Sequence, residues 1–215
     1  MTGGNGYEQI YLNLISRIKK DEVNFKESAE RLGLKCISDE SSDESNESDE
    51  KISVNFLRRD YIITKEGVEP IDGKPVGVNH RNVLLYYVLS KGNGEPKFSF
   101  VPLGRLTGMI SGQNIPTDRI MNAPLIRKFR NDLTRLKTAV TLIGGDYEGT
   151  ANGGHLWLIK PLPKIPVKMI YYEADEEFPA DIQIMFDETA PKFMEYECLA
   201  FLCGCLVSAL IENAD

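Results

Sequence analysis

The sequence predicts a single α+β domain, and three observations lead there. Apolar residues recur at helical spacing near both ends and in the middle of the chain, short strands with period-two patterning lie between, and the later strands sit too close together for helical crossovers. Closely spaced strands pair antiparallel, so an antiparallel or mixed sheet packed by several helices is expected. The predicted order is ααββαβαβββα.

Tyr7 to Lys20 reads as an amphipathic helix, with Ile10, Tyr11, Leu14, Ile15 and Ile18 on one face. A second helix is expected from Asn24 to Leu32, with Asn24 as N-cap, Glu27 completing a capping box and Gly33 as C-cap. Ile52–Phe56 and Tyr61–Thr64 alternate as strands of a hairpin about a turn at Arg58-Arg59-Asp60. Asn79 to Ser90 reads as a helix stopped by Gly92, and Lys97 to Val101 as a short strand. Residues 102–116 are loop-like. Pro124 suits the first turn of a long helix whose stripe is Leu125, Ile126, Phe129, Leu133, Leu136, Val140 and Ile143, ended by Gly144-Gly145. Strands follow at Leu156–Ile159, Pro166–Tyr172 and Ile182–Phe186, then a closing helix from about Lys192 to Glu212, its start within reach of Asp187 or Thr189 as cap.

Charge divides the chain. The formal net charge is −7, but residues 39–50 hold seven acids and no base. Removing those seven from the total of 32 leaves 25 acids against 25 bases, so the rest is formally neutral. A neutral body lacks the basic surplus that phosphate neutralisation requires, which argues against a nucleic-acid partner. The domain reading is residues 1–37 as N-terminal helices packing on the body, 38–51 as a disordered acidic-serine insert, and 52–215 as the main α+β domain. The insert has no apolar side chain to offset the entropy of ordering it. The first residues lack the basic and apolar regions of a secretory signal. The longest uncharged apolar run, Cys198 to Ile211, is 14 residues, short of the about 20 that span a bilayer. A cytoplasmic protein with reduced thiols and no membrane partner is expected.

Cys198, Cys203 and Cys205 lack zinc-site spacing, and on one helix Cys203 points about 140° from Cys198, so no metal site is expected from the cysteines. They read as buried small hydrophobes. His80 and His155 sit in no metal motif. The glycine-rich stretches 144–149 and 152–154 follow a helix and precede a strand, the reverse of a phosphate loop, and read as a helix cap and turn. The polar side of the long helix, Arg127, Arg130, Asn131, Thr134, Lys137 and Thr138, reads as a solvated face.

The one concentration of chemistry is acidic. Glu173-Ala174-Asp175-Glu176-Glu177-Phe178-Pro179-Ala180-Asp181 forms a turn between two strands, and Asp187 follows at the far end of the second. Crowded carboxylates raise one another's pKa unless a cation relieves them, and an oxygen-rich site suits a divalent cation such as calcium or magnesium. The candidate ligand or cation site is therefore Asp175, Glu176, Glu177, Asp181 and Asp187, with His155. No other cofactor is evident.

The strings Leu162-Pro163-Lys164-Ile165-Pro166-Val167, Asp175 through Asp181, and Met185-Phe186-Asp187 together resemble an uncharacterised prokaryotic family, a domain of unknown function. The most specific part is Glu-Glu-Phe-Pro-Ala-Asp. The resemblance implies anaerobic bacteria and archaea, and some members with an added iron–sulfur module whose four cysteines this chain lacks. The reading is a non-enzymatic binding or accessory domain serving a metalloenzyme or redox system, with an unknown protein partner or small ligand. Its alternative is a small-molecule or divalent-cation-dependent enzyme using the carboxylates of 173–187.

Overall fold

The computed structural model describes residues 4–20, 22–38, 50–107, 117–130 and 132–214. The fold is α+β, with two antiparallel sheets. Contacts divide the chain into two compact units, Met1–Gly94 with Lys192–Met194, and Glu95–Pro191 with Glu195–Asp215.

The first unit holds α1 (Gly4–Lys19), α2 (Phe25–Leu32), β1 (Lys35–Ile37), β2 (Lys51–Phe56), β3 (Arg59–Thr64), β4 (Gly67–Pro70) and α3 (Val78–Leu89), its strands in the order β1-β2-β3-β4. Asn24 Oδ1 accepts the Glu27 amide at 2.9 Å and Gly33 closes α2 in the left-handed region at φ 71°, so local sequence sets both ends of that helix. The period-two residues Ile52, Val54, Phe56, Tyr61 and Ile63 are buried with Leu14, Ile18, Leu32 and Val83–Leu85 of the helices. The hairpin turn falls on Leu57 and Arg58, both at positive φ, one residue earlier than the sequence indicates, because Arg59 pairs with Phe56 within the ladder.

Residues 39–49 lie outside the described residues, and with them the expected disorder of the insert. Its flanks are described: Ile37 pairs with Lys51, so the insert joins neighbouring antiparallel strands. A connection between strands that are already paired contributes to stability mainly through its closure entropy, which changes slowly with length. Replacing residues 39–50 by Asn-Gly is expected to bring the net charge to zero and to shift unfolding stability by no more than about 1 kcal/mol, read from urea denaturation. A loss above about 2 kcal/mol would mean that the insert is packed on the fold.

The second unit holds β5 (Phe100–Pro102), α4 (Thr117–Phe129), α5 (Leu133–Leu142), β6 (Gly145–Ala151), β7 (Gly154–Leu162), β8 (Ile165–Tyr172), β9 (Asp181–Asp187) and α6 (Tyr196–Glu212), with strand order β5-β9-β8-β7-β6. Trp157, Ile159, Val167, Met169, Tyr171, Ile182, Ile184 and Phe186 alternate along the strands and are buried, together with Leu125 and Phe129 of α4, Leu136 and Val140 of α5, and Leu199, Leu202 and Leu206 of α6. Helices α4 and α5 contact β9 and β6, and α6 packs on both helices.

Three expectations change here. The single helix from Pro124 is two helices, and Pro124 lies inside the first rather than in its opening turn. The apolar period runs unbroken through the junction, but the backbone is interrupted where other groups take its hydrogen bonds. Asp132 Oδ1 accepts the Arg135 amide at 2.8 Å, and the buried Tyr171 hydroxyl donates to the Phe129 and Arg130 carbonyls at 3.4 and 3.2 Å. The supposed polar face is thus split between two helices, and Asn131 lies outside the described residues.

The second change is β6. Its glycine-rich sequence pairs along most of β7 about a turn at Asn152 and Gly153, with φ 52° and 79°. The third concerns Lys97–Val101, where only Phe100 onward is strand. The amides of Lys97 and Ser99 instead reach the Asp187 carboxylate at 3.3 and 3.2 Å. Residues 108–116 of the expected loop lie outside the described residues.

Candidate functional site

The acidic turn occupies one end of the five-stranded sheet. Asp175 organises it: Oδ1 accepts the Glu177 and Phe178 amides at 2.9 and 2.6 Å, and its own amide donates to the Phe178 carbonyl at 2.9 Å. This side-chain turn needs a short acceptor at Asp175, and Pro179 fixes the exit of the chain from it. The result places Phe178 outward, 66% exposed.

Beside it lies an open depression of about 780 Å³, lined by Ile126 of α4, Asn152 and Gly153 of the β6–β7 turn, Tyr172 and Glu173 at the end of β8, and Asp175 and residues 178–181. Ile126, Tyr172 and Phe178 supply apolar and aromatic surface, and Glu173, Asp175 and Asp181 an acidic rim. Asp181 also accepts a hydrogen bond from Gln183 at 3.2 Å.

Glu173 belongs to a hydrogen-bonded chain. Its Oε1 lies 3.0 Å from His155 Nε2, and His155 Nδ1 lies 2.9 Å from the Tyr147 hydroxyl. A carboxylate only accepts, so Nε2 carries the hydrogen. In the neutral ring Nδ1 then accepts from Tyr147. His155 and Tyr147 are brought together by the β6–β7 register, which sets them on the Trp157 side of the sheet, their rings 6.2 and 5.3 Å from the indole. The Lys137 ammonium stands 4.8 Å from the centre of the Tyr147 ring.

The expected site is therefore assembled in part. Asp175 and Asp181 line the depression, His155 approaches it through Glu173, and Glu176 and Glu177 are exposed outside its lining. Asp187 does not join them. It ends the seven-residue strand that Asp181 begins, about 20 Å away at strand rise. It is fully buried and accepts from the Thr189 amide and hydroxyl at 2.9 and 2.6 Å, as well as from the amides of Lys97 and Ser99. Burial alone would raise its pKa, but hydrogen bonds from the Thr189 hydroxyl and from backbone amides outweigh that and hold it below the ordinary carboxylate range. Nor does it cap the last helix, whose N-cap is Glu195.

Among the described residues, no group of three or more His, Cys, Asp or Glu side chains is disposed to hold a metal ion. Cys198, Cys203 and Cys205 are buried in α6, and burial, with the charge of Glu212, pushes the Cys205 thiol up to about 12. His80 packs edge-on against Phe56 at 5.6 Å between ring centres.

Sequence reasoning missed Tyr147, Lys137, Ile126 and Tyr172. The signal for Tyr147 was incomplete: Asn152-Gly153 marks the hairpin turn, but pairing outward from it sets Glu148 against Trp157, and only the bulge between Tyr147 and Gly149 brings Tyr147 opposite Trp157, on the face of His155.

These features define an α+β protein with an open, acid-rimmed depression at one sheet end. The chain belongs to the family described as a domain of unknown function, DUF3786, which matches residues 24–209. No curated protein and no solved structure gives a significant match. Among the described residues no helix is long and apolar enough to cross a membrane.

Proposed function

We propose that this chain is a non-enzymatic binding or accessory domain that docks a protein partner at the depression beside the acidic turn. The observation that carries the reading is Phe178. A large aromatic side chain 66% exposed in water is costly, and here a hydrogen-bonded turn holds it outward over apolar surface with carboxylates around it. Exposed apolar anchors rimmed by polar groups mark surfaces that other molecules cover. The rim charge selects a basic, part-apolar segment: ammonium or guanidinium groups against Glu173, Asp175 and Asp181, aliphatic carbons against Phe178, Tyr172 and Ile126. The depression is open rather than enclosed, which suits a macromolecular surface better than a sequestered substrate.

The proposal gives the Glu-Glu-Phe-Pro-Ala-Asp string a role as the recognition element of a prokaryotic family. It places the protein in the cytoplasm, with a metalloenzyme or redox protein of suitable surface as the partner. The rival reading, an enzyme using these carboxylates or a divalent cation, has one observation in its favour: the Tyr147–His155–Glu173 chain has the connectivity of an acid–base relay.

The test is titration calorimetry with a synthetic hexapeptide alternating lysine or arginine with leucine. Binding is expected to weaken at least tenfold with Phe178→Ser and to lose most of its salt dependence with Glu173→Gln and Asp181→Asn combined. A peptide that binds a variant carrying all three substitutions, Phe178→Ser, Glu173→Gln and Asp181→Asn, as well as it binds the wild type contradicts the reading. Turnover or cation-dependent heat that requires His155 would favour the rival.

A further inference from the structure

We infer that His155 makes docking at this depression dependent on pH, binding a basic segment more tightly when its imidazole is neutral; the inference rests on the docking reading above. Of the three rim carboxylates, Glu173 is the one hydrogen-bonded to an imidazole. Histidine side chains change charge between about pH 5 and 8, where ordinary carboxylates stay ionised. The imidazole side chain is only 18% exposed, while the Glu173 side chain is 59% exposed, so one partner is fixed in the fold and the other faces the ligand.

The position of the proton follows from the geometry. Nε2 already carries a hydrogen toward Glu173, so uptake occurs at Nδ1. The Tyr147 hydroxyl at 2.9 Å then turns from donor to acceptor, and no side chain has to move. The groups around the ring are accounted for on each element packed against it. On β6 there is Tyr147, and on β7 the uncharged Trp157. On β8 there is Tyr171, paired with His155 across the strands, its own pKa raised by burial and then by the charges of Glu173 and Asp132. On α5 there is Lys137, over the Tyr147 ring, and, as its N-cap, Asp132. Glu173 is the charged group that touches the imidazole, so the added positive charge acts first on Glu173. The protonated ring holds the carboxylate in an ion pair and removes about one negative charge from the rim. A cationic ligand must then compete with it.

Linkage makes this reciprocal: a bound cation that pairs with Glu173 disfavours proton uptake by His155. The experiment is calorimetric titration of the same basic–apolar peptide at pH 7.5 and 5.5, at constant ionic strength, with the full chain. The wild type is expected to bind about five- to tenfold more weakly at pH 5.5. His155→Gln keeps a donor for Glu173 without titrating and should bind equally at both values. Glu173→Gln should bind at both values with about the wild-type affinity at pH 5.5.

A pH step that persists in His155→Gln, or a wild type that binds equally at both values, overturns the gate while leaving docking intact. A peptide that binds at neither pH overturns docking itself, and the gate with it. Nitrogen-15 spectra of the imidazole in the free protein separate the two failures. A hydrogen on Nε2 at pH 7.5, with uptake at Nδ1 on acidification, is the expected pattern, and a hydrogen resident on Nδ1 at pH 7.5 overturns the gate whatever the peptide does.

Discussion

Asp187→Ala is expected to lower unfolding stability by about 3 kcal/mol, the largest effect of any single polar substitution in the second unit. Alanine removes the acceptor for the amides of Lys97, Ser99 and Thr189 and for the Thr189 hydroxyl, and leaves those donors around a fully buried position. Asparagine retains one oxygen and should cost less. The pKa of Asp187 is lowered in the folded protein, so its contribution is complete above the unfolded value near 3.9 and disappears as pH falls through the folded value. Urea denaturation of wild type and variant at pH 7 and at pH 3 checks both parts: the difference should be large at pH 7 and should have begun to shrink at pH 3, where the carboxyl of the unfolded chain takes up a proton that the folded carboxyl still resists. A difference below about 1 kcal/mol at pH 7 would mean that the segment 97–99 finds other partners.

Trp157→Ala should cost about 3 to 5 kcal/mol, because it empties the largest fully buried side chain of the core. The indole is also the surface against which His155 and Tyr147 rest, at ring distances of 6.2 and 5.3 Å. Trp157→Phe keeps an aromatic floor and should cost less while preserving the hydrogen-bonded chain. Trp157 is the only tryptophan. Its fluorescence follows unfolding in the wild type, and circular dichroism serves for the variants. An alanine variant as stable as the wild type would contradict the packing described here.

The parts of this fold that could be read from sequence are those where local pattern and tertiary packing agree. Ile182, Ile184 and Phe186 alternate in β9 and are buried as that alternation requires. Asn24 and Gly33 terminate α2 by chemistry carried within the helix itself. The break between α4 and α5 was not legible, because the apolar stripe continues through it and part of its cause is the hydroxyl of Tyr171, 42 and 41 residues away in sequence from the carbonyls it meets. β6 was hidden for a different reason: Gly-Asp-Tyr-Glu-Gly-Thr-Ala has little alternation and is an edge strand with a bulge between Tyr147 and Gly149.

The candidate site was legible as a place but not as a constellation. The acidic turn stands where the charge pattern puts it. Asp187 shares a strand face with Asp181 by even spacing, yet the strand carries it to the other end of the sheet, where it serves the fold. His155 lacked an assigned partner, since its register against β6 and β8 depends on a hairpin that composition obscured.

If the depression beside Phe178 is where this protein meets a basic partner, amide chemical-shift mapping during titration with the lysine–leucine peptide should show movements confined to residues 152–153 and 172–181, with Ile126, all lost in Phe178→Ser. Shifts centred elsewhere on the molecule, or none at millimolar peptide, would place the docking surface somewhere else or remove it.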